Sequence, residues 1–298
     1  YWKMKMESGP YVFIGGRGNN KNFFKDLGER TGVKIEAIST SSSKRAEIAL
    51  LEKLEMKKPV MVFGDMGFLP WFSFPEEYHF GGHTFVVCGF DGDKTVLASD
   101  MDNEAVGLKK GYYYPITLEQ LSLARNSTHK PFPPQNTYFE FNFSDFHPPT
   151  KDDIYSSIKQ TLESQLNPPI KNLGVKGIKH TSKEILKWPT LFNDHELRMN
   201  LFNLYIFIEI GGTGGGCFRY MYSRFLKESA EITNNNILRA ISDKFQKAGE
   251  MFTEIGLLFK EAESVNNLGE KLNKASILFS KIAELEEENY VELSKAVK

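Results

Sequence analysis

Cysteine is almost absent from this chain: Cys88 and Cys217 are the only two in 298 residues. Two thiols cannot build a disulfide framework, and a chain of this length buries enough surface not to need one, so a reducing cytoplasm is the expected setting. Net charge is nearly absent too, at −1 from 37 basic and 38 acidic residues. No strong positive field follows and no dense Lys/Arg block supplies one locally, so nucleic acid is not an expected partner. Long apolar runs are also missing. The longest candidate, residues 201–210, falls far short of a bilayer span and is interrupted by Asn203 and Glu209, so no membrane partner is expected. The N-terminal residues contain no apolar segment of the signal-peptide kind. The six histidines and two cysteines show no ligand spacing, so neither a metal nor a cofactor is expected. The first residue is Tyr1 and not Met, which leaves open a processed form or a piece of a longer polypeptide.

What is present is an ordinary globular composition, 41% hydrophobic and 25% charged, which sets the chain apart from disordered sequences. Residues 10–16 read as a short strand ending in glycines, and residues 22–31 as an amphipathic helix closed by Gly32. A strand over 33–38 precedes a helix capped from Ser41, Ser42 or Ser43, with Ala46, Leu50, Leu51 and Leu54 on its apolar stripe. Residues 59–63 form a further strand. Two apolar runs, 83–90 and 95–100, flank Asp91-Gly92, a strong hairpin signal. A helix over 116–125 is capped by Thr117, and 138–143 alternates aromatic and polar residues like an edge strand. Proline-rich stretches then punctuate the chain, and the domain boundary is placed near residue 148. Beyond it the pattern is helical. Residues 237–262 and 268–297 form a long helical hairpin whose seam includes Leu268, Leu272, Ala275, Phe279 and Ile282. The expected class is α+β: a mixed domain over residues 1–148, then an all-helical domain over 149–298.

One segment carries chemistry. His83 opens a strand, and a turn returns a second strand ending in acid. With Asp91-Gly92 as a two-residue loop, His83 sits directly opposite Asp100; a four-residue loop makes the partner Asp102. An acid beside an imidazole fixes its tautomer and stabilises the imidazolium, the base-and-orienter half of a nucleophilic site. The plainer alternative is a polar residue at a strand start. Gly81 and Gly82 would leave room for a substrate. No nucleophile is evident nearby. Cys88 lies on the same strand as His83 and reads as buried packing. Cys217 starts a helix, where the dipole lowers a thiol pKa, but it lies in the other domain.

These residues resemble a family. Gly81-Gly82-His83 through Asp100, preceded by the 11–17 and 58–65 segments and followed by 121–127, resembles the N-terminal domain of butirosin biosynthesis protein H. Residues 205–226, through the glycines at 211–216, Phe218-Arg219-Tyr220 and Arg224-Phe225-Leu226, resemble the helical domain of unknown function that accompanies it. The resemblance implies a papain-like, cysteine-protease-type domain followed by an all-helical domain, and acyl transfer from an acyl-carrier-protein thioester to a small amine. It assigns His83 as base and Asp100 as its orienter. The family's cysteine nucleophile lies upstream of the aromatic dipeptide matched by Tyr1-Trp2, so no residue of this chain carries over to it.

Other candidates concern binding. Gly214 and Gly215 lie in a glycine cluster between two helices and offer backbone N–H groups to an anion, with Arg219 just inside the next helix; a close helix–helix corner is the alternative. Arg17 follows two glycines and reads as a turn residue or ligand contact. Trp71, in the aromatic stretch 68–74, is a candidate lining of an acyl or substrate cleft. The intact protein is therefore expected to be a cysteine-dependent acyltransferase with an acyl carrier protein and an amine as partners. The alternatives are a cysteine peptidase or amidase, and a non-catalytic binding protein whose long C-terminal helices form a homodimer.

Overall fold

The computed structural model describes residues 1–6, 9–14, 22–74, 78–100, 112–130, 132–263 and 267–298. In chain order the elements are β1 (Trp2–Met6), β2 (Gly9–Phe13), α1 (Phe23–Thr31), β3 (Lys34–Ile38), α2 (Ser43–Glu55), β4 (Val60–Gly64), β5 (His83–Phe90), β6 (Thr95–Ser99), β7 (Tyr113–Thr117), α3 (Leu118–Arg125) and β8 (Tyr138–Asn142). Helices follow: α4 (Lys151–Leu166), α5 (Gly174–Glu184), α6 (Trp188–Leu191), α7 (Asp194–Tyr205), α8 (Arg219–Thr233), α9 (Asn236–Lys260) and α10 (Leu268–Ala296). The class is α+β. The chain divides into two compact units, Lys21–Pro148 and Pro149–Lys298, with Tyr1–Asn20 grouped with the second.

The first unit is built on one antiparallel sheet in the order β3-β8-β4-β5-β6-β7. Its helices start where capping chemistry allows. The Ser42 side chain accepts the Arg45 N–H at the start of α2, and Thr117 accepts the Gln120 N–H at the start of α3, which satisfies donors that a helix end leaves open. Ala46, Leu50 and Leu54 recur at helical spacing and are buried, so α2 presents one apolar stripe to a core that includes Val60, Val62, Phe85, Val87, Val96 and Ala98. Gly32 closes α1 at φ 72°, and a Cβ there would lie 2.0 Å from the Asp145 carbonyl oxygen, so conformation and space both demand glycine.

Two expectations about this sheet are corrected. β8 is not an edge strand; it is inserted between β3 and β4, with Lys34 opposite Asn142 and Met61 opposite Phe139. Its alternation misleads because one side chain, Phe139, supplies most of the burial, packed against Phe24 and Phe63. The β5–β6 loop is not a two-residue turn either. Phe90 pairs with Val96, and the Asp91 carboxylate accepts N–H groups from Asp93, Lys94 and Thr95, folding a wider loop over itself.

In the second unit α9 and α10 form the expected hairpin, and Leu272, Ala275, Phe279 and Ile282 are buried along its seam. Capping boxes start α4 (Thr150 with Asp153) and α7 (Asn193 with Glu196). The β1–β2 hairpin belongs here, whereas the sequence reading puts residues 1–148 in the first domain. Val12 and Ile14 are buried in the helical core, and the Val12 N–H donates to Asn200 Oδ1 at 2.9 Å. Asn200 is itself buried and returns a bond to the Pro10 carbonyl, so the strand's polar edge is satisfied by a helix. Tyr1 stacks on Trp188 with ring centroids 6.3 Å apart.

Candidate functional site

The first unit brings His83, Asp100 and Trp71 together. His83 opens β5 opposite Gly64 of β4, and Asp100 follows the last residue of β6. Val86 lies opposite Ser99, so Asp100 is a diagonal neighbour of His83 and not its direct partner; the register slips at a bulge between Val87 and Gly89. The diagonal still suffices, because the imidazole is long enough to span it. His83 Nε2 lies 3.0 and 2.8 Å from the two Asp100 oxygens. Asp102, the other partner the sequence allowed, lies outside the described residues.

The electrostatics follow from burial. The Asp100 side chain is 0% exposed and that of His83 is 11% exposed. An ionised carboxylate can only accept hydrogen bonds, so Nε2 carries a proton, and whenever the ring is neutral its lone pair is on Nδ1. No hydrogen bond engages Nδ1 among the described residues. Phe72 meets the ring edge-on at 5.3 Å, and Phe85 lies near-parallel at 6.1 Å. A fixed acid, an imidazole and an open nitrogen can accept a proton from a nucleophile and return it. Gly81 has a different reason to be small than room for substrate: a Cβ there would lie 2.2 Å from the Phe132 carbonyl oxygen.

Trp71, read from the aromatic stretch as a candidate cleft lining, meets the pair through Asp100. It is buried, and its Nε1–H donates to Asp100 Oδ2 at 2.8 Å. The indole stacks on Tyr114 at 5.1 Å and meets Phe85 edge-on at 5.6 Å.

A second carboxylate–imidazole cluster escaped the sequence reading. Asp65 follows β4, one residue beyond the Gly64 that pairs with His83. Its fully buried carboxylate accepts from Ser127 Oγ (2.6 Å), Phe80 N (2.9 Å), Gly67 N (3.1 Å) and His79 Nδ1 (3.0 Å). Burial pushes its pKa up, but the four hydrogen bonds outweigh that and hold it below the ordinary value. His79 stacks face to face on His129, centroids 3.4 Å apart and planes 4° from parallel. The available signal was an acid directly after a strand that neighbours the His83 strand.

The helical unit's candidates are engaged internally. Gly214, Gly215 and Gly216 all have positive φ, followed by Cys217 at 49° and Phe218 at 71°. The Gly215 N–H donates to Thr213 Oγ1, and the Gly216 N–H to Glu209, so the protein's own side chains occupy two of the donors that an anion would need. Burial raises the Glu209 pKa, against the hydrogen bonds from Gly216 and Thr253. Arg219 donates from Nε and Nη2 to Glu286 at 2.6 and 2.9 Å and from Nη1 to the Cys217 carbonyl at 2.8 Å, with its guanidinium 4.5 Å from the Phe252 ring centre. Cys217 is 1% exposed, and burial raises its thiol pKa, outweighing Arg219. The lowering expected from a helix start is reversed because no water reaches the sulfur. Cys88, expected to be buried, is half-buried, and its Sγ lies 3.5 Å from the Leu97 carbonyl oxygen. Burial raises its pKa as well. Arg17 lies outside the described residues.

Among the described residues no group of three or more His, Cys, Asp and Glu is arranged to hold a metal ion, and no helix is long and apolar enough to cross a membrane.

Residues 119–293 match the family described as a domain of unknown function, DUF4872. The chain belongs to the DUF4872 family. In front of that match, residues 1–101 of this DUF4872 chain match butirosin biosynthesis protein H, N-terminal, in agreement with the resemblance read from the sequence. No curated protein matches the chain. The two matched segments do not coincide with the two structural units. β8 comes from the DUF4872 segment and sits between β3 and β4 of the butirosin-type segment, while the β1–β2 hairpin of the butirosin-type segment belongs to the helical unit. Each family segment therefore completes a structure begun by the other.

Proposed function

We propose that this DUF4872-family protein takes part in acyl transfer of the kind suggested by the butirosin biosynthesis protein H match, moving an acyl group from a carrier-bound thioester to an amine through a cysteine thiolate. The observation that supports this most is the His83–Asp100 pair, with Nε2 held by the acid and Nδ1 left open. In the proposed reaction His83 Nδ1 takes the proton of a cysteine thiol, and the thiolate attacks the thioester carbonyl. The carrier thiol leaves with the proton returned by the imidazolium, and an acyl-enzyme thioester forms. The amine then attacks that thioester, its proton passes to His83, and His83 returns it to the cysteine sulfur as the amide is released. Asp100 stabilises the imidazolium formed within each half of the reaction. The cysteine is not one of the 298 residues, since Cys217 is sealed in the helical core and Cys88 sits in a β-bulge at the Leu97 carbonyl.

The test uses the protein isolated from its natural source. Its intact mass and N-terminal sequence are determined, and it is then incubated with an acyl thioester. The expected result is a stable mass increase of one acyl group on a cysteine, discharged by an amine and abolished by His83→Ala. Unchanged acylation in His83→Ala would sink the assignment. Discharge to water at the same rate with and without amine would indicate the amidase or peptidase reading.

The second reading is a non-catalytic binding protein on the same fold. It is favoured by the internal engagement of both thiols in this sequence, and a natural protein that shows no acylation would support it.

A further inference from the structure

We propose that Trp71 is a positioning residue: by donating its indole N–H to Asp100 it locks His83 in the tautomer that presents Nδ1 as the base. This deepens the acyl-transfer reading and rests on it for its catalytic meaning, though not for its geometry. A buried carboxylate must find donors, because its desolvation is otherwise uncompensated. Asp100 is fully buried, and Trp71 Nε1 and His83 Nε2 both reach Oδ2 at 2.8 Å. The oxygen that the indole holds is thus the one that the imidazole approaches most closely.

The indole is suited to the task in two ways. It is a donor only and does not titrate, so it can support the carboxylate solely as an acceptor and never competes for the His83 proton. It is also braced, stacked on Tyr114 and met edge-on by Phe85, the next residue of β5 on the same face as His83. A carboxylate pinned at Oδ2 faces Nε2 with acceptors alone, which excludes the tautomer with an unprotonated Nε2. Phenylalanine at position 71 would keep the stack and remove the pin. The carboxylate would then hold its orientation less firmly, and His83 would exchange between its two neutral forms. A cleft-lining Trp71, as read from the sequence, would have no effect on the tautomer.

The experiment is nitrogen-15 NMR of the His83 ring in the full chain, at a pH where the imidazole is neutral, with the signals assigned by their loss in His83→Gln. The parent should show a protonated Nε2 and an unprotonated Nδ1. In Trp71→Phe both resonances should move toward the values of a mixed tautomer population while the cooperative unfolding transition is retained. If Trp71→Phe does not fold, β-(3-benzothienyl)alanine at position 71 replaces the N–H by sulfur in the same shape and is read in the same way. A folded variant of either kind with the parent's tautomer overturns the proposal, as does a parent already mixed or protonated on Nδ1. The readout needs neither nucleophile nor substrate. Failure of acyl transfer with the tautomer shift intact would count against the function and leave this inference standing.

Discussion

Each unit contains a buried carboxylate paired with a cationic or basic side chain, and the two pairs differ in what they leave over. Glu286 and Asp100 are both 0% exposed. Glu286 is gripped by two nitrogens of Arg219, the third donates to a carbonyl, and the guanidinium lies over a phenyl ring. All three nitrogens of Arg219 are engaged within the protein, so that pair holds helices together. Asp100 takes one nitrogen of His83 and leaves the other open beside a partly exposed edge. Burial is common to both pairs; the difference between scaffold and chemistry is the unused valence.

The largest expected effect attacks the closed pair. Arg219→Ala leaves Glu286 buried without its cation, which costs about 3–5 kcal/mol for a broken buried pair. Urea unfolding should show a loss of unfolding free energy of that size, and a loss under about 1 kcal/mol would mean that the pair is not closed as described. The same change should expose Cys217 to alkylating reagents, since the Arg219 side chain also donates to the Cys217 carbonyl.

A smaller effect is expected at Asp65, the hub beside the open pair. Its folded pKa lies below its ordinary value of 3.8, so its contribution to stability is fully present above that value and is lost as pH falls through the lower folded pKa. Asp65→Asn should lower stability at neutral pH by about 1–3 kcal/mol, the scale of charge-assisted hydrogen bonds. It should also flatten the acid limb of the stability–pH curve, and an acid limb identical to the parent's would refute the assignment.

The smallest effect requires no mutation. In the native protein Cys88 should react slowly with a thiol reagent and Cys217 not at all until unfolding, because both thiols are raised in pKa but only Cys88 reaches solvent. Equal rates would erase the contrast between the sealed helical core and the accessible sheet.

Much of this was legible from local pattern. The α2 stripe, the Thr117 cap, the Gly32 stop and the α9–α10 seam depend on residues within a turn or two of each other. The His83–Asp100 pair was legible for a related reason: 17 residues of strand, turn and strand bring them to one face, and a register error of two residues still leaves the acid within reach of a long imidazole. The β8 insertion was not legible, because a strand's own alternation carries no record of how many neighbours it has. The Asp65 cluster was hidden because its members, at 65, 79 and 127, come from three separate segments.

The sequence by itself determined most of the elements and the hairpin that carries the candidate base and its acid, because periodicity, caps and turns are short-range physics; the strands β1 and β7 were not read from it. Only the tertiary structure decided the rest: Trp71 as a donor to Asp100, Arg219 as the closed partner of a glutamate 67 residues away, and a β1–β2 hairpin completed by helices. A buried polar group must find a partner wherever packing supplies one, and distance along the chain does not say where that will be.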